Sequence, residues 1–341
     1  MEPIPVIAVT GYLGAGKTSL LNHVLRTPHA RIGVVVNDFG DVNVDASLIS
    51  GQVDELASIA GGCICCLPED GELDIALARL ADPRLRLDAI IVEASGLADP
   101  VTIARMVGFS GVSGVRDGGV IDVVDAATHF ERVDDGGVPP ARYGAATLVV
   151  VNKLDQIPES DRDATVKRVE ERVRQRNPHA QVVGAIGGRI DPALLYDVAA
   201  AQDGYGQLSF RDALFDDAAA ADDHEHDHVH ADAVTVTAAG PVDPEALLDL
   251  LELPPAGVYR LKGTVAVRQR SSTRRLAVNV VGTSVHIARA PQRDAQPCLV
   301  AIGLHLDTTE VRSRLTTALR PATSGPSPAA LRRLQRHLGR G

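Results

Sequence analysis

The sequence predicts an α/β protein: a doubly wound, mostly parallel sheet, followed by a smaller α+β C-terminal domain. Three observations carry that expectation. From residue 5 to about 200, short apolar runs alternate with stretches of helical spacing, the pattern of a parallel sheet with helices on both faces. The first apolar run, Ile4 to Val9, leads into Gly11-Tyr-Leu-Gly-Ala-Gly-Lys-Thr18 and then a helical stretch. Beyond about residue 240 the order becomes helix, four strands, helix, which suits a small antiparallel sheet.

The glycine-rich stretch fits G-x-x-x-x-G-K-[ST] between strand and helix, so the first domain is expected to be of the P-loop NTPase type. Glycines let the backbone curl until its N–H groups face phosphate oxygens. The helix N-terminus adds positive partial charge. Gly11, Gly14, Ala15, Gly16, Lys17, Thr18 and Ser19 are the nucleotide-binding candidates. Among them Lys17 reaches the β/γ-phosphates and the Thr18 hydroxyl ligates Mg²⁺, which makes both catalytic candidates.

Strands are expected at Val6–Thr10, Gly33–Val36, Glu55–Ile59, Ala89–Val92, Val120–Val124, Thr147–Val151 and Gln181–Val183. Helices are expected at Lys17–Arg26, Glu72–Leu80, Pro100–Val107, Arg162–Gln175 and Pro192–Val198. Loops at the carboxyl ends of such strands face the ligand. The loop after the second strand, Asn37 to Asp45, is acidic, either a solvated loop or a segment ordered by γ-phosphate and Mg²⁺. After the third comes Gly61-Gly-Cys63-Ile-Cys65-Cys66. Three of the four cysteines fall within four residues, unlike a secreted disulfide framework. Thiolates select zinc and Cu(I), so metal binding is the leading reading; small buried side chains or thiol–disulfide chemistry are the alternatives.

The fourth strand ends in Glu93, and a carboxylate there holds the Mg²⁺ shell in P-loop proteins. Gly96 allows the backbone to approach the γ-phosphate, while Asp99-Pro100 reads as a helix cap. Leu148 to Asp155 sends a buried strand into N-K-x-D. A carboxylate at Asp155 accepts from guanine N1–H and N2–H₂, a donor pair adenine lacks, and so favours GTP; the alternative is an N-cap.

A net charge of −10 argues against nucleic-acid partners. No apolar run reaches the length of a membrane span, and the N-terminus lacks the basic start of a signal peptide. A cytoplasmic protein with no membrane partner is expected.

Residues 1–205 are assigned to the nucleotide domain, 206–240 to an acidic, His-rich linker, 241–320 to the second domain and 321–341 to a basic tail. The linker sets His224, His226, His228 and His230 at alternate positions, a compositional metal-binding signal or a plain solvated tract. In the second domain a helix is expected at Pro244–Leu251. Strands follow at Val258–Arg268, Leu276–Val281, Val285–Ala290 and Cys298–Ile302, and a helix at Thr308–Leu319. Arg260-Leu-Lys262-Gly263 is basic, either an exposed edge guarded by charge or a functional contact. The tail carries Arg332, Arg333, Arg336 and Arg340 without an acid.

In this order the P-loop, the N-x-F-G acidic loop, G-G-C-I-C-C, E-x-S-G-L-A-D-P, N-K-x-D and R-x-K-G resemble the CobW-type metallochaperone GTPases. The resemblance runs from about residue 4 to 320. It implies a slow, Mg²⁺-dependent GTPase that holds Zn²⁺, or Co²⁺ in its place, and delivers it to a metal-requiring client protein. A nucleotide-dependent homodimer is a further expectation. Residue by residue, it implies that Gly11–Thr18 bind phosphates and Mg²⁺, that Asn152, Lys153 and Asp155 bind guanine, and that Cys63, Cys65 and Cys66 hold the metal. Family members usually carry Glu where this chain has Asp38 and Asp41, and either shorter carboxylate is a candidate further ligand. A metal store with a regulatory nucleotide site, or a metal-free GTPase switch, are the other classes.

Overall fold

The computed structural model describes residues 3–26, 30–37, 55–59, 71–94, 100–108, 110–196, 231–269, 272–290, 296–323 and 325–338. The first sheet contains β1 (Ile4–Gly11), β2 (Ile32–Asn37), β3 (Glu55–Ile59), β4 (Ala89–Glu93), β5 (Val115–Asp125), β6 (Leu148–Asn152) and β7 (Gln181–Gly184). Their order is β3-β2-β4-β1-β5-β6-β7, and every pairing is parallel. The apolar runs of β1, β4 and β6 are buried along their length because helices cover both faces.

Around this sheet lie α1 (Lys17–Leu25), α2 (Gly71–Leu80), α3 (Pro100–Gly108), the short α4 (His129–Arg132) and α5 (Glu159–Arg174). Leu73, Ala76, Leu77 and Leu80, spaced i, i+3, i+4, i+7, form the buried face of α2. Leu20, Leu21, Val24 and Leu25 of α1 pack on the sheet's other side with Ile7, Val9 and Ile91.

The second sheet is antiparallel, ordered β11-β10-β9-β12-β8. Its strands are β8 (Asp232–Thr237), β9 (Val258–Arg268), β10 (Thr273–Val281), β11 (Ser284–Arg289) and β12 (Cys298–Gly303). One face packs on α6 (Pro244–Glu252), α7 (Thr308–Ala318) and α8 (Pro328–His337) through Leu247, Leu251, Val265, Val278, Leu315 and Leu334. The opposite face meets the first domain: Tyr259, Val281 and Leu304 join the cluster that contains α1. Among the described residues no helix is long and apolar enough to cross a membrane.

Four expectations need correction. The fifth strand is longer than Val120–Val124, because Gly118-Gly119 forms an irregularity against β1 instead of breaking the strand. A Cβ on Gly118 would lie 2.9 Å from the Val6 carbonyl oxygen, and Gly119 has φ +95°. Of the helix expected at Pro192–Val198, the described residues 192–196 form a 3-10 turn, Pro192–Leu194, capped by Asp191. Asp232–Thr237, inside the stretch assigned to the linker, is a strand paired with β12; its alternating apolar residues are overshadowed by the neighbouring acidic and histidine-rich residues. The Arg260 stretch is not an exposed edge. It lies in β9, the central strand of its sheet, with Arg260 only 2% exposed.

Candidate nucleotide site

The site begins where β1 runs out at the carboxyl edge of the first sheet. Gly11, Gly14 and Gly16 take φ values of +148°, +78° and +104°, which L side chains rarely adopt. A Cβ on Gly11 would meet the Val123 carbonyl oxygen at 2.5 Å, and one on Gly16 would meet Asn152 Nδ2 at 2.1 Å. The loop therefore needs glycine twice over, for dihedral and for space. Ala15 N–H closes the turn by donating to the Tyr12 carbonyl at 3.1 Å. The first turn of α1 holds no acid, so its amide end keeps its positive field.

Lys17 is 8% exposed and donates from Nζ to the Gly11 carbonyl at 3.0 Å, within the curl of the loop. Thr18 Oγ1 donates to Glu93 Oε1 at 3.5 Å. Glu93 ends β4, sits beside Val9 in register and is 4% exposed. A hydroxyl and a buried carboxylate facing each other beside a buried lysine form an oxygen donor set suited to Mg²⁺. Ser19 lies in the same first turn, exposed.

β6 delivers the second motif. Asn152 is 1% exposed and both ends of its amide are engaged. Nδ2 donates to the Ala15 carbonyl at 3.0 Å, and Oδ1 accepts from Gly188 N–H at 2.8 Å. It ties the P-loop to the turn after β7, a role its motif position did not announce. Lys153 adopts φ +64° and pairs with Asp125 Oδ2 at 2.6 Å. Burial works against the Asp125 carboxylate, but the bond from Lys153 prevails and lowers its pKa. Asp155 is exposed on the 3-10 turn Leu154–Gln156. It caps no helix, since α5 follows Pro158, and among the described residues its side chain has no hydrogen-bond partner.

Sequence reasoning missed a cluster under the P-loop. Asp122, fully buried in β5, accepts from Thr10 Oγ1 at 3.0 Å and from Arg142 Nε at 2.7 Å. The Arg142 guanidinium also lies 4.4 Å from the centre of the Tyr12 ring. Burial opposes that charge, but Asp122 outweighs it and raises the Arg142 pKa. The available signal was an aspartate inside an apolar strand, which requires a buried cation.

Several candidates fall outside the described residues: Asp38, Asp41, Cys63, Cys65, Cys66, Gly96, His224, His226, His228 and His230. The backbone that leads to them is informative. Asn37 at the end of β2 pairs with Ile59 at the end of β3, so the two strands that precede the acidic and cysteine stretches in the sequence are adjacent and end together. They end at the edge that carries the P-loop.

The CobW/HypB/UreG nucleotide-binding domain profile matches residues 5–184, and the cobalamin synthesis protein CobW C-terminal domain matches 231–319. The chain is 30% identical to the zinc chaperone CobW of Sinorhizobium, over 92% of this chain and 96% of that one. It is 32% identical to the zinc chaperone CobW of Pseudomonas aeruginosa, over 94% and 92%. Against the zinc chaperone YjiA of Escherichia coli identity is 34%, over 58% of this chain and 62% of that protein, less than two thirds of its length. With a nucleotide-binding domain and a C-terminal domain of the same family in the same order, the chain belongs to the CobW/HypB/UreG family.

Proposed function

We propose that the chain is a GTP-dependent metallochaperone that couples GTP binding and slow hydrolysis to the transfer of zinc to a client protein. One observation carries the reading: Thr18 faces buried Glu93, with Lys17 in the curl of the same loop, at the sheet edge where β2 and β3 end just before the acidic and cysteine stretches of the sequence. The names of the relatives, zinc chaperones in three bacteria, support it. The nucleotide domain extends to about residue 205, and the C-terminal domain starts at β8.

The P-loop amides and Lys17 bind the phosphates, and Asp155 accepts from the guanine edge. Thr18 and Glu93 would hold Mg²⁺, which neutralises phosphate charge when bound. Cys63, Cys65 and Cys66 bind zinc as cargo, with Asp38 or Asp41 as a further ligand. Thiolate ligands must shed their protons, so zinc affinity falls in acid. If GTP tightens zinc binding, zinc tightens GTP binding by the same factor. Tyr12 and Leu13 of the P-loop, 45% and 86% exposed, supply an apolar contact for a nucleotide-dependent homodimer.

The test is zinc affinity by competition with a chromophoric chelator, with Mg²⁺ and either a non-hydrolysable GTP analogue or GDP. Replacing His224, His226, His228 and His230 by Ala removes the histidine tract while leaving Ala231, whose N–H donates to Asp191, in place. Tightening of about tenfold with the analogue, roughly 1.4 kcal/mol of coupling, is expected. Equal affinities would leave a metal buffer.

A further inference from the structure

Between β7 and the second domain runs residue stretch 185–196, and it is held at five points. Gly188 N–H donates to Asn152 Oδ1 at 2.8 Å, and a Cβ on Gly188 would lie 2.4 Å from Leu20 N of the P-loop helix. The Ile190 carbonyl is 2.9 Å from His23 Nε2 of α1. Asp191 caps Ala193 through Oδ1 and accepts from Ala231 N–H through Oδ2, at 2.9 and 2.8 Å. Arg260 Nη1 donates to the Ala193 carbonyl at 3.1 Å. Tyr196 Oη donates to the Val24 carbonyl at 3.4 Å. Ile190, Leu194, Leu195 and Tyr196 are buried with α1 on one side and Tyr259, Val281 and Leu304 on the other.

The first two anchors grip the nucleotide machinery, and the Asp191–Ala231 and Arg260–Ala193 bonds grip the second domain. Burying a guanidinium is costly unless it is bonded, so an arginine 2% exposed in a central strand has a specific task. Gly263 allows β9 to lie that close to β12: a Cβ there would stand 2.0 Å from the Cys298 carbonyl oxygen. The R-x-K-G stretch is thereby accounted for at both ends.

We propose that Arg260 and Asp191 are positioning residues for the nucleotide site. They hold the 185–196 strap, the strap holds Gly188 on Asn152, and Asn152 holds the Ala15 carbonyl of the P-loop. The C-terminal domain is then part of the nucleotide site's framework. This rests on the nucleotide-binding reading above.

The test uses the full chain and a fluorescent GDP analogue with Mg²⁺, at a temperature where each variant is folded by circular dichroism. R260M and D191A are expected to raise the Kd at least fivefold and to speed release. Amide hydrogen exchange in the peptide covering 186–190 is expected to accelerate, and R260K to recover most of the affinity. L334A removes a buried side chain on the far face of the second sheet and controls for stability; its Kd is expected to match the wild type. If R260M does not fold, D191A and its exchange carry the test. Kd values within twofold of wild type for the folded variants would overturn the proposal. A wild-type chain that does not bind GDP would remove the nucleotide reading itself.

Discussion

Asp155 and His129 show how one side chain's surroundings set what can be measured. Asp155 is exposed and bonds to no described residue, so D155A should leave the melting temperature unchanged. If it binds guanine as proposed, its loss should cost two hydrogen bonds to the base, about 1.5–3 kcal/mol each, and weaken GDP binding by two orders of magnitude or more. Isothermal calorimetry alongside a thermal melt reads both. His129 is the opposite case. It is 1% exposed and bonds through Nε2 to Tyr143 Oη, which donates to Asp134 Oδ2 at 3.1 Å. The phenol proton is thus committed, so Nε2 carries the imidazole proton and Nδ1 is bare, buried and without a partner among the described residues. Burial lowers the pKa to about 4 from 6.5, against the pull of Asp122 and Asp134. Between those values the unfolded chain takes up a proton that the folded chain refuses. Stability is therefore full above about pH 6.5 and falls towards pH 4, by on the order of 3 kcal/mol. Urea titrations across that range should show the slope, and H129Q should flatten it.

At the scale of elements, attachment to the core is decided by apolar burial more than by charge. Helix α8 shows this. Arg333 pairs with Asp249 at 2.8 Å and Glu252 at 2.9 Å, and His337 reaches Glu252 at 3.0 Å, all near solvent. Leu334 on the same helix is 1% exposed within the second core. R333A is expected to cost under about 1 kcal/mol and to lose its effect in high salt. L334A should cost about 2–4 kcal/mol at any salt concentration. Chemical denaturation with and without salt separates the two. The sequence tail showed the arginines and hid the acids, which belong to α6, some eighty positions earlier. That is the general reason why parts of this fold were legible and others were not. β1, β4, β6 and α2 carry their periodicity in consecutive residues, and the P-loop carries its chemistry in a short run. The clasp of Asp122 on Arg142, the two bonds of Asn152 and the burial of Arg260 are made across the chain. Local pattern contains no record of them. Gly118-Gly119 misled for a related reason: whether a glycine pair breaks a strand or bulges it depends on the neighbouring strand, here Val6 and Ile7.

Across the whole molecule the two sheets share a core instead of being strung on a linker. Thr147 Oγ1 lies 3.1 Å from Tyr259 Oη, Arg116 Nη2 donates to Asn279 Oδ1 at 3.2 Å, and Arg260 reaches the 185–196 strap. Tyr259 is 2% exposed, and burial raises its pKa to about 12, so the phenol stays a neutral hydrogen-bonding group under ordinary conditions. Gly119 and Gly282 fit against this junction, where a Cβ on Gly119 would stand 2.6 Å from Thr147 Oγ1. Domains joined by buried side chains of both should unfold together. Scanning calorimetry of the wild type is expected to give one cooperative transition whose calorimetric and van't Hoff enthalpies agree. Y259A removes a large buried side chain from the shared core and the Thr147–Tyr259 hydrogen bond across the junction, at a cost of about 3–5 kcal/mol by analogy with other large aromatic truncations. It should split the endotherm in two, with the first domain melting earlier. GDP should then raise the lower transition and leave the upper one in place, whereas in the wild type it raises the single transition. Two transitions in the wild type, with only one of them responding to GDP, would mean that the junction carries no free energy and that the sheets fold independently.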